Sequence, residues 1–298
     1  MTGPLLALSL AAALAGQDAA GAPPAAPQEP TTRLEDVVVS RPDALEALAR
    51  EFVDSAAAAP AYRGLARWNA ELCLGVVGLR AEAAHAIIDR VSDVARPLGV
   101  RLGQPGCAPN AVIVAASDGQ QLAEALVAER RRAFRIGFTR SNRGARALEE
   151  FGASDAAVRW WHISFPYCAS SGALAIRIFQ GPPACASSFK RSTGIVDYLS
   201  RVLVIVDVPR LEGADLDQLS DYLAMVVLAQ VDAEADLSRF DTVLNSFTPA
   251  GGEGGLTDWD RGYLEALYGA GRYRLDPEAH AEALAQLMSR QAAPGDAE

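Results

Sequence analysis

The sequence predicts an α+β fold: an N-terminal α/β module of βαβα order, then a block of mixed sheet and helices. Three observations carry this. Apolar strand-like runs alternate with helical spacing between residues 73 and 131, the pattern of a sheet joined by crossover helices. Strand-like runs then succeed one another from 158 to 206. A long segment from Asp215 to Val231 follows; it is apolar nearly all round beyond Leu223 and reads as a helix buried on most sides.

Taken in order, Leu5 to Leu14 form an apolar run that closes on Ala13-Leu14-Ala15. A core of this length before small residues reads as a signal peptide over 1–15 and is too short to span a bilayer. The preceding Met1-Thr2-Gly3-Pro4 carries no Lys or Arg, which departs from the usual charged start. Residues 16–33, dense in Ala, Pro, Gln and Gly, read as a disordered spacer. The α/β module is expected over 34–135. It opens with a short strand at Val37-Val38-Val39 and a helix over 42–57 with Leu45, Leu48 and Phe52 on one face. A strand over 73–79 comes next. A helix over 81–95 follows, with Ala84, Ile87, Ile88, Val91 and Val94 aligned, and then a buried strand over 110–116. Asp118 with Gln121 makes a capping-box start for a helix through Arg131.

The second block is expected over 136–292. Strands are read at 158–165, 174–179 and 202–206, the last as a central one. Asp215 caps the apolar helix, with Gln218 three residues on. Thr257 and Asp260 give the next helix a capping box, and Gly269 is placed to end it. Asp276-Pro277 opens a final helix, and 293–298 is left as a tail.

The formal net charge of −10 over 298 residues argues against a nucleic-acid binder, whose affinity rests on neutralising phosphates. Lys190 is the sole lysine among the basic residues. No later segment reaches about 20 consecutive apolar residues, so the mature chain is expected to be soluble and periplasmic or secreted. Four cysteines suit that compartment. Cys73, Cys107, Cys168 and Cys185 allow three pairings; local pairing, Cys73 with Cys107 and Cys168 with Cys185, is the simplest. None has C-x-x-C spacing, so zinc-ribbon and thioredoxin readings lack support.

Several segments resemble an uncharacterised family of exported bacterial proteins: residues 65–79, 106–110, Trp160-Trp161-His162, 219–229 and 256–268. The last third also resembles, remotely, the metzincin-like (zincin) metallopeptidases. Such a peptidase runs from an H-E-x-x-H helix through a Met-turn to L-T-x-x-D and a closing helix ending in L-Y. Here the order is the 215–231 helix, Thr242-Val243-Leu244-Asn245, and Leu256-Thr257-Asp258-Trp259-Asp260 through Leu267-Tyr268. The resemblance places Asp221, Tyr222 and Met225 where the first His, the Glu and the second His stand. A zinc site needs imidazoles on one helical face and a Glu to polarise water. This chain has three histidines, His85, His162 and His280, on three different expected elements and none in that helix. Tyrosine is a poor general base near neutrality, and a thioether is a weak zinc ligand. No metal and no cofactor are therefore expected, and zinc-dependent proteolysis is disfavoured.

The vestigial cleft that the resemblance implies has Asp221, Tyr222, Met225 and His162 as its candidate residues. His162 alternates with Trp160 and Ser164 on one strand face. It reads either as an acid–base group or as a half-buried histidine packed beside an indole; His85 and His280 read as structural. Arg130, Arg131, Arg132 and Arg135, with Phe134 and Phe138 interleaved and Arg140, Arg143 and Arg146 beyond, form a dense basic run. It reads as a contact for an envelope protein or anionic partner, or as a solvated helix end. Asp207, Asp221 and Asp258 are candidates to cluster near that cleft for acid–base work or to hold calcium; their spacing matches no EF-hand loop, and capping or Arg pairing explains them as well. Neither G-x-S-x-G nor a P-loop is present. The function expected is an exported, non-catalytic binding or interaction protein of the cell envelope; the alternative is a non-metallo enzyme using His162 and nearby carboxylates.

Overall fold

The computed structural model describes residues 42–136, 142–177, 183–185, 194–211, 213–248, 251, 254–269 and 277–292. The expectations for 1–33, Val37–Val39, Phe138, Arg140 and 293–298 lie outside the described residues.

A four-stranded mixed sheet organises the chain. Strands β1 (Leu74–Val77), β2 (Ala111–Ala116), β3 (Val158–Cys168) and β6 (Ile195–Asp207) lie in the order β1-β2-β6-β3. The first pairs are parallel, Leu74 opposite Ala111 and Ala111 opposite Val202. β3 runs antiparallel to β6 and forms one edge of the sheet. β4 (Ile176–Arg177) and β5 (Pro183–Ala184) pair antiparallel in a second, two-stranded sheet, tied to the end of β3 by the Tyr167–Leu174 bridge and the Cys168–Cys185 disulfide. The helices are α1 (Pro42–Ala56), α2 (Ala81–Ala95), α3 (Gly119–Phe134), α4 (Ala145–Ala153), α5 (Leu216–Leu228), α6 (Asp258–Gly269) and α7 (Pro277–Ala292).

Side-chain alternation along the strands divides the core in two. Ala111, Ile113, Val158, Trp160, Val202, Val204 and Val206 face α5 and the helices around it. Trp161, Ile163 and Ile205 face the other way, onto Ala123 and Phe134 of α3 and Leu148 and Phe151 of α4. α5 is buried over its whole length from Leu219 to Leu228, so the larger core surrounds it on all sides.

Start signals were well placed. The Asp118 carboxylate accepts from Gln121 N at 2.8 Å, and Asp215 accepts from Asp217 N and Gln218 N at 2.7 and 3.1 Å. Thr257 Oγ1 accepts from Asp260 N at 3.1 Å while Asp260 Oδ2 accepts from Thr257 N at 3.0 Å, a reciprocal capping box. Both local disulfides are present, Cys73–Cys107 and Cys168–Cys185.

Three expectations need correction. The boundary at 135/136 does not divide the structure, because β2 of the first block is hydrogen-bonded along Ala111–Ala116 to β6 of the second. A two-stranded parallel module has unpaired edges on both sides, and β6 satisfies one of them. Leu48 is 38% exposed rather than part of the α1 core face, which is Ala49, Phe52, Val53 and Ala56. α4 was not foreseen; its Leu148 and Phe151 close the second core, while Arg146 faces solvent. No helix among the described residues is long and apolar enough to cross a membrane.

Candidate functional site

α5 carries three of the four residues expected to share a cleft, Asp221, Tyr222 and Met225. Asp221 is buried, and both of its oxygens are engaged. Arg90 Nε of α2 donates to one oxygen, and Leu256 N donates to the other at 3.1 Å. The approach is close enough to dictate a glycine nearby: a Cβ on Gly255 would stand 1.9 Å from Asp221 Oδ2. Tyr222 packs edge-on between Trp160 and Phe247, with ring centroids at 6.0 and 5.0 Å. Burial pushes its phenol above the usual range, so it is held neutral. Met225 is fully buried in the larger core. The expectation that these three share a cleft with His162 is corrected: they are packed inside the core, and the cavity that His162 lines is bordered by other residues.

The end of α5 explains His162. A buried helix leaves its last carbonyls without intrahelical donors, and burial makes each unpaired carbonyl costly. Ala229 N reaches Met225 O at 3.0 Å. The next three carbonyls are met by side chains from three separate segments, all at 2.8 Å. His162 Nε2 donates to Val226 O, Trp68 Nε1 to Val227 O and Tyr268 Oη to Leu228 O. Trp160 Nε1 donates to Val231 O just beyond, at 2.9 Å. Since a carbonyl only accepts, Nε2 of His162 carries the proton and Nδ1 keeps its lone pair. Burial is the main reason its pKa falls to about 4; the Val226 bond opposes this and Arg143 adds to it. His162 is thus a neutral helix-end donor at ordinary pH.

The remaining ring edge looks onto a half-open cavity of about 40 Å³, room for a few waters. Its floor is Arg159, Trp160, Trp161 and His162. Successive strand residues point to opposite faces of a sheet, so four in a row border one cavity only along the strand's edge. That edge is the side of β3 turned away from β6. One wall is α4, through Ala147, Glu150, Phe151 and Ser154; the opposite wall is Gln230, Val231, Ala233 and Glu234, with Ala58 beside it. Arg143, just before α4, pairs with Asp232 of the opposite wall at 2.5 Å. Asn142 anchors that turn, donating from Nδ2 to Phe134 O at 3.0 Å and accepting from Gly144 N at 3.0 Å.

Arg159 is the least satisfied group in this region. Its side chain is 1% exposed; Nη2 donates to Ala156 O at 2.6 Å and lies 3.8 Å from Asp207 Oδ2. Nε and Nη1 have no acceptor among the described residues, and burial lowers the guanidinium's pKa. Gln230 is tied in place, Oε1 accepting from Ala66 N at 3.1 Å and Nε2 facing Ser164 Oγ at 3.4 Å. Ser164 also contacts Arg63, whose Nε bonds the buried Asp197 at 2.5 Å. That buried pair fixes the chain between α1 and β1 against β3 and β6.

The other candidates do not converge. Asp207 accepts from Gly119 N at 3.0 Å, remote in partners from Asp221; Asp258 is exposed in the first turn of α6. His85 is exposed on α2, and His280 lies on α7 near Gly64. Among the described residues no three His, Cys, Asp or Glu side chains are grouped to hold a metal ion. Arg130, Arg131, Arg132 and Arg135 are exposed at the end of α3, where cations suit the helix dipole. Phe134 between them is buried against Phe151 and Trp161 and is no part of that face. Arg159, Gln230, Glu234 and the Arg143–Asp232 pair escaped sequence reasoning. The one available signal was polar residues flanking apolar runs, Arg159 before Trp160 and Gln230 after the α5 stretch. Comparison with protein-family models, with curated proteins and with solved structures gave no match to this chain.

Proposed function

We propose that this is an exported, non-catalytic protein of the cell envelope with a zincin-like C-terminal core, acting by binding an extended polypeptide segment beside β3. The observation that carries the reading is the contrast in satisfaction. Asp221, Tyr222 and Met225 are consumed by packing and internal bonds, whereas the cavity follows the open edge of a strand. An edge strand directs alternate N–H and C=O groups away from its neighbour, and an added strand satisfies them. The recess between α4 and residues 230–234 keeps two globular copies from meeting edge to edge, and takes a slender segment only once its walls part. Export is supported by the two disulfides and by the apolar N-terminal run.

A displayed library of unstructured decapeptides tests the reading. Bound peptides are expected to slow amide hydrogen exchange at Trp160 and His162, whose N–H groups point away from β6, and to remain uncleaved. Selected peptides that leave those amides unchanged, or that are hydrolysed, would refute it. The enzymatic alternative draws on one observation, that His162 lines the cavity. It requires an activity that His162→Gln abolishes while the Tm at neutral pH stays within a few degrees.

A further inference from the structure

The charges around the cavity narrow the ligand class. Glu234 on one wall has no cationic partner among the described residues, and Glu150 on the other is met only by the largely exposed Arg146. Asp232 would add a third carboxylate, and its one cationic partner is Arg143, reaching across from the opposite wall. Removing Arg143 from that pair would leave an acidic notch at the mouth of the groove, in a chain whose net charge is already −10. The second guanidinium at the cavity, Arg159, is buried beside Asp207 and offers no exposed head to a ligand. The present volume of about 40 Å³ holds waters rather than a peptide strand, so α4 and residues 230–234 must part before a segment can enter. Arg143–Asp232 is the ion pair that spans them.

We propose that the cavity is the closed form of a groove for a basic extended peptide, and that Arg143, paired with Asp232, holds the place of the ligand's own cation. An incoming Arg or Lys side chain exchanges with Arg143 at Asp232 and finds Glu234 beside it. The exchange swaps one ion pair for another, so opening costs little net electrostatic energy when the ligand is basic. It leaves Asp232 unpaired when the ligand is neutral or acidic, and discrimination follows from that difference. This inference rests on the strand-binding reading above and assigns its charge preference.

Three blocked octapeptides serve as probes, alternating threonine with arginine, glutamine or glutamate. Titration at low ionic strength is read by hydrogen exchange at the outward amides of Trp160 and His162. The arginine peptide is expected to protect those amides and the glutamate peptide to leave them unchanged. Arg143→Gln is expected to bind the arginine peptide about fivefold more tightly, the scale of one exposed ion pair; Asp232→Asn is expected to weaken it by a similar factor. The Arg143 side chain is 35% exposed and that of Asp232 17%, and thermal melts confirm the folding of both variants; if one fails to fold, the other still decides. Equal protection by the arginine and glutamine peptides would overturn the charge assignment while leaving strand binding intact. Weaker binding to Arg143→Gln would overturn the placeholder role. Absence of protection by every peptide would remove both the inference and the reading beneath it.

Discussion

α5 and the edge of β3 are adjacent, yet they treat their polar groups in opposite ways. In α5 the buried carboxylate and the terminal carbonyls are met. Asp221 has Arg90 and Leu256 N, and the terminal carbonyls have His162, Trp68 and Tyr268. At the β3 edge, Arg159 has two nitrogens without acceptors among the described residues, and a cavity separates two walls joined by an ion pair. A protein holds unmet polar groups at a cost, and sites are among the places where such costs persist. α5 is therefore packing. The edge of β3 beside it is the less satisfied of the two.

That contrast is broken most easily by truncating α5. Met225→Ala removes a fully buried side chain and is expected to cost about 3 kcal/mol in denaturant unfolding, whereas Met225→Leu should cost under about 1.5 kcal/mol. A small loss in the alanine variant would mean that α5 is loosely packed and that the contrast is overstated.

Acid is the next lever. His162 has a folded pKa near 4 against 6.5 unfolded, so the unfolded chain binds the extra proton first as pH falls. Its contribution is intact above pH 6.5, is lost progressively toward pH 4, and amounts to about 3 kcal/mol in all. His162→Gln keeps a donor for Val226 O but cannot titrate. Its Tm should fall less than that of the native chain between pH 7 and 4.5; parallel curves would show that His162 is not held neutral by burial.

Asp221→Ala strands the buried Leu256 N and frees Arg90, which is 37% exposed and recovers water. A loss of about 2 kcal/mol is expected, and an unchanged Tm would deny Asp221 its role as a tie between α5, α2 and the segment before α6. Smallest of all, Arg143→Gln and Asp232→Asn should shift unfolding by under about 1 kcal/mol. A larger shift would make that pair part of the scaffold rather than part of a groove.

Much of the scaffold was legible because local physics wrote it. The capping boxes at Asp118, Asp215 and Thr257–Asp260 are contacts between near neighbours, and the cysteine pairs are close in sequence. α4 was hidden behind a dense arginine run; only Leu148 and Phe151 betray its buried face. The single sheet was hidden for another reason: the β2–β6 pairing spans some ninety positions, and no local pattern reports it. The cavity is assembled from residue 58, residues 143–162 and residues 230–234, which come together only in the fold. His162 was legible as a strand residue on the Trp160 face, but its partner, a carbonyl at the end of α5, has no side-chain signature at all.

The most direct test is metal stoichiometry. The purified protein is loaded with excess zinc, dialysed, and melted with and without a chelator. A sealed, internally satisfied α5 predicts well under one zinc per chain and an unchanged Tm on chelation. One tightly held zinc per chain, with a Tm that drops when it is withdrawn, would contradict the packing role of Asp221, Tyr222 and Met225.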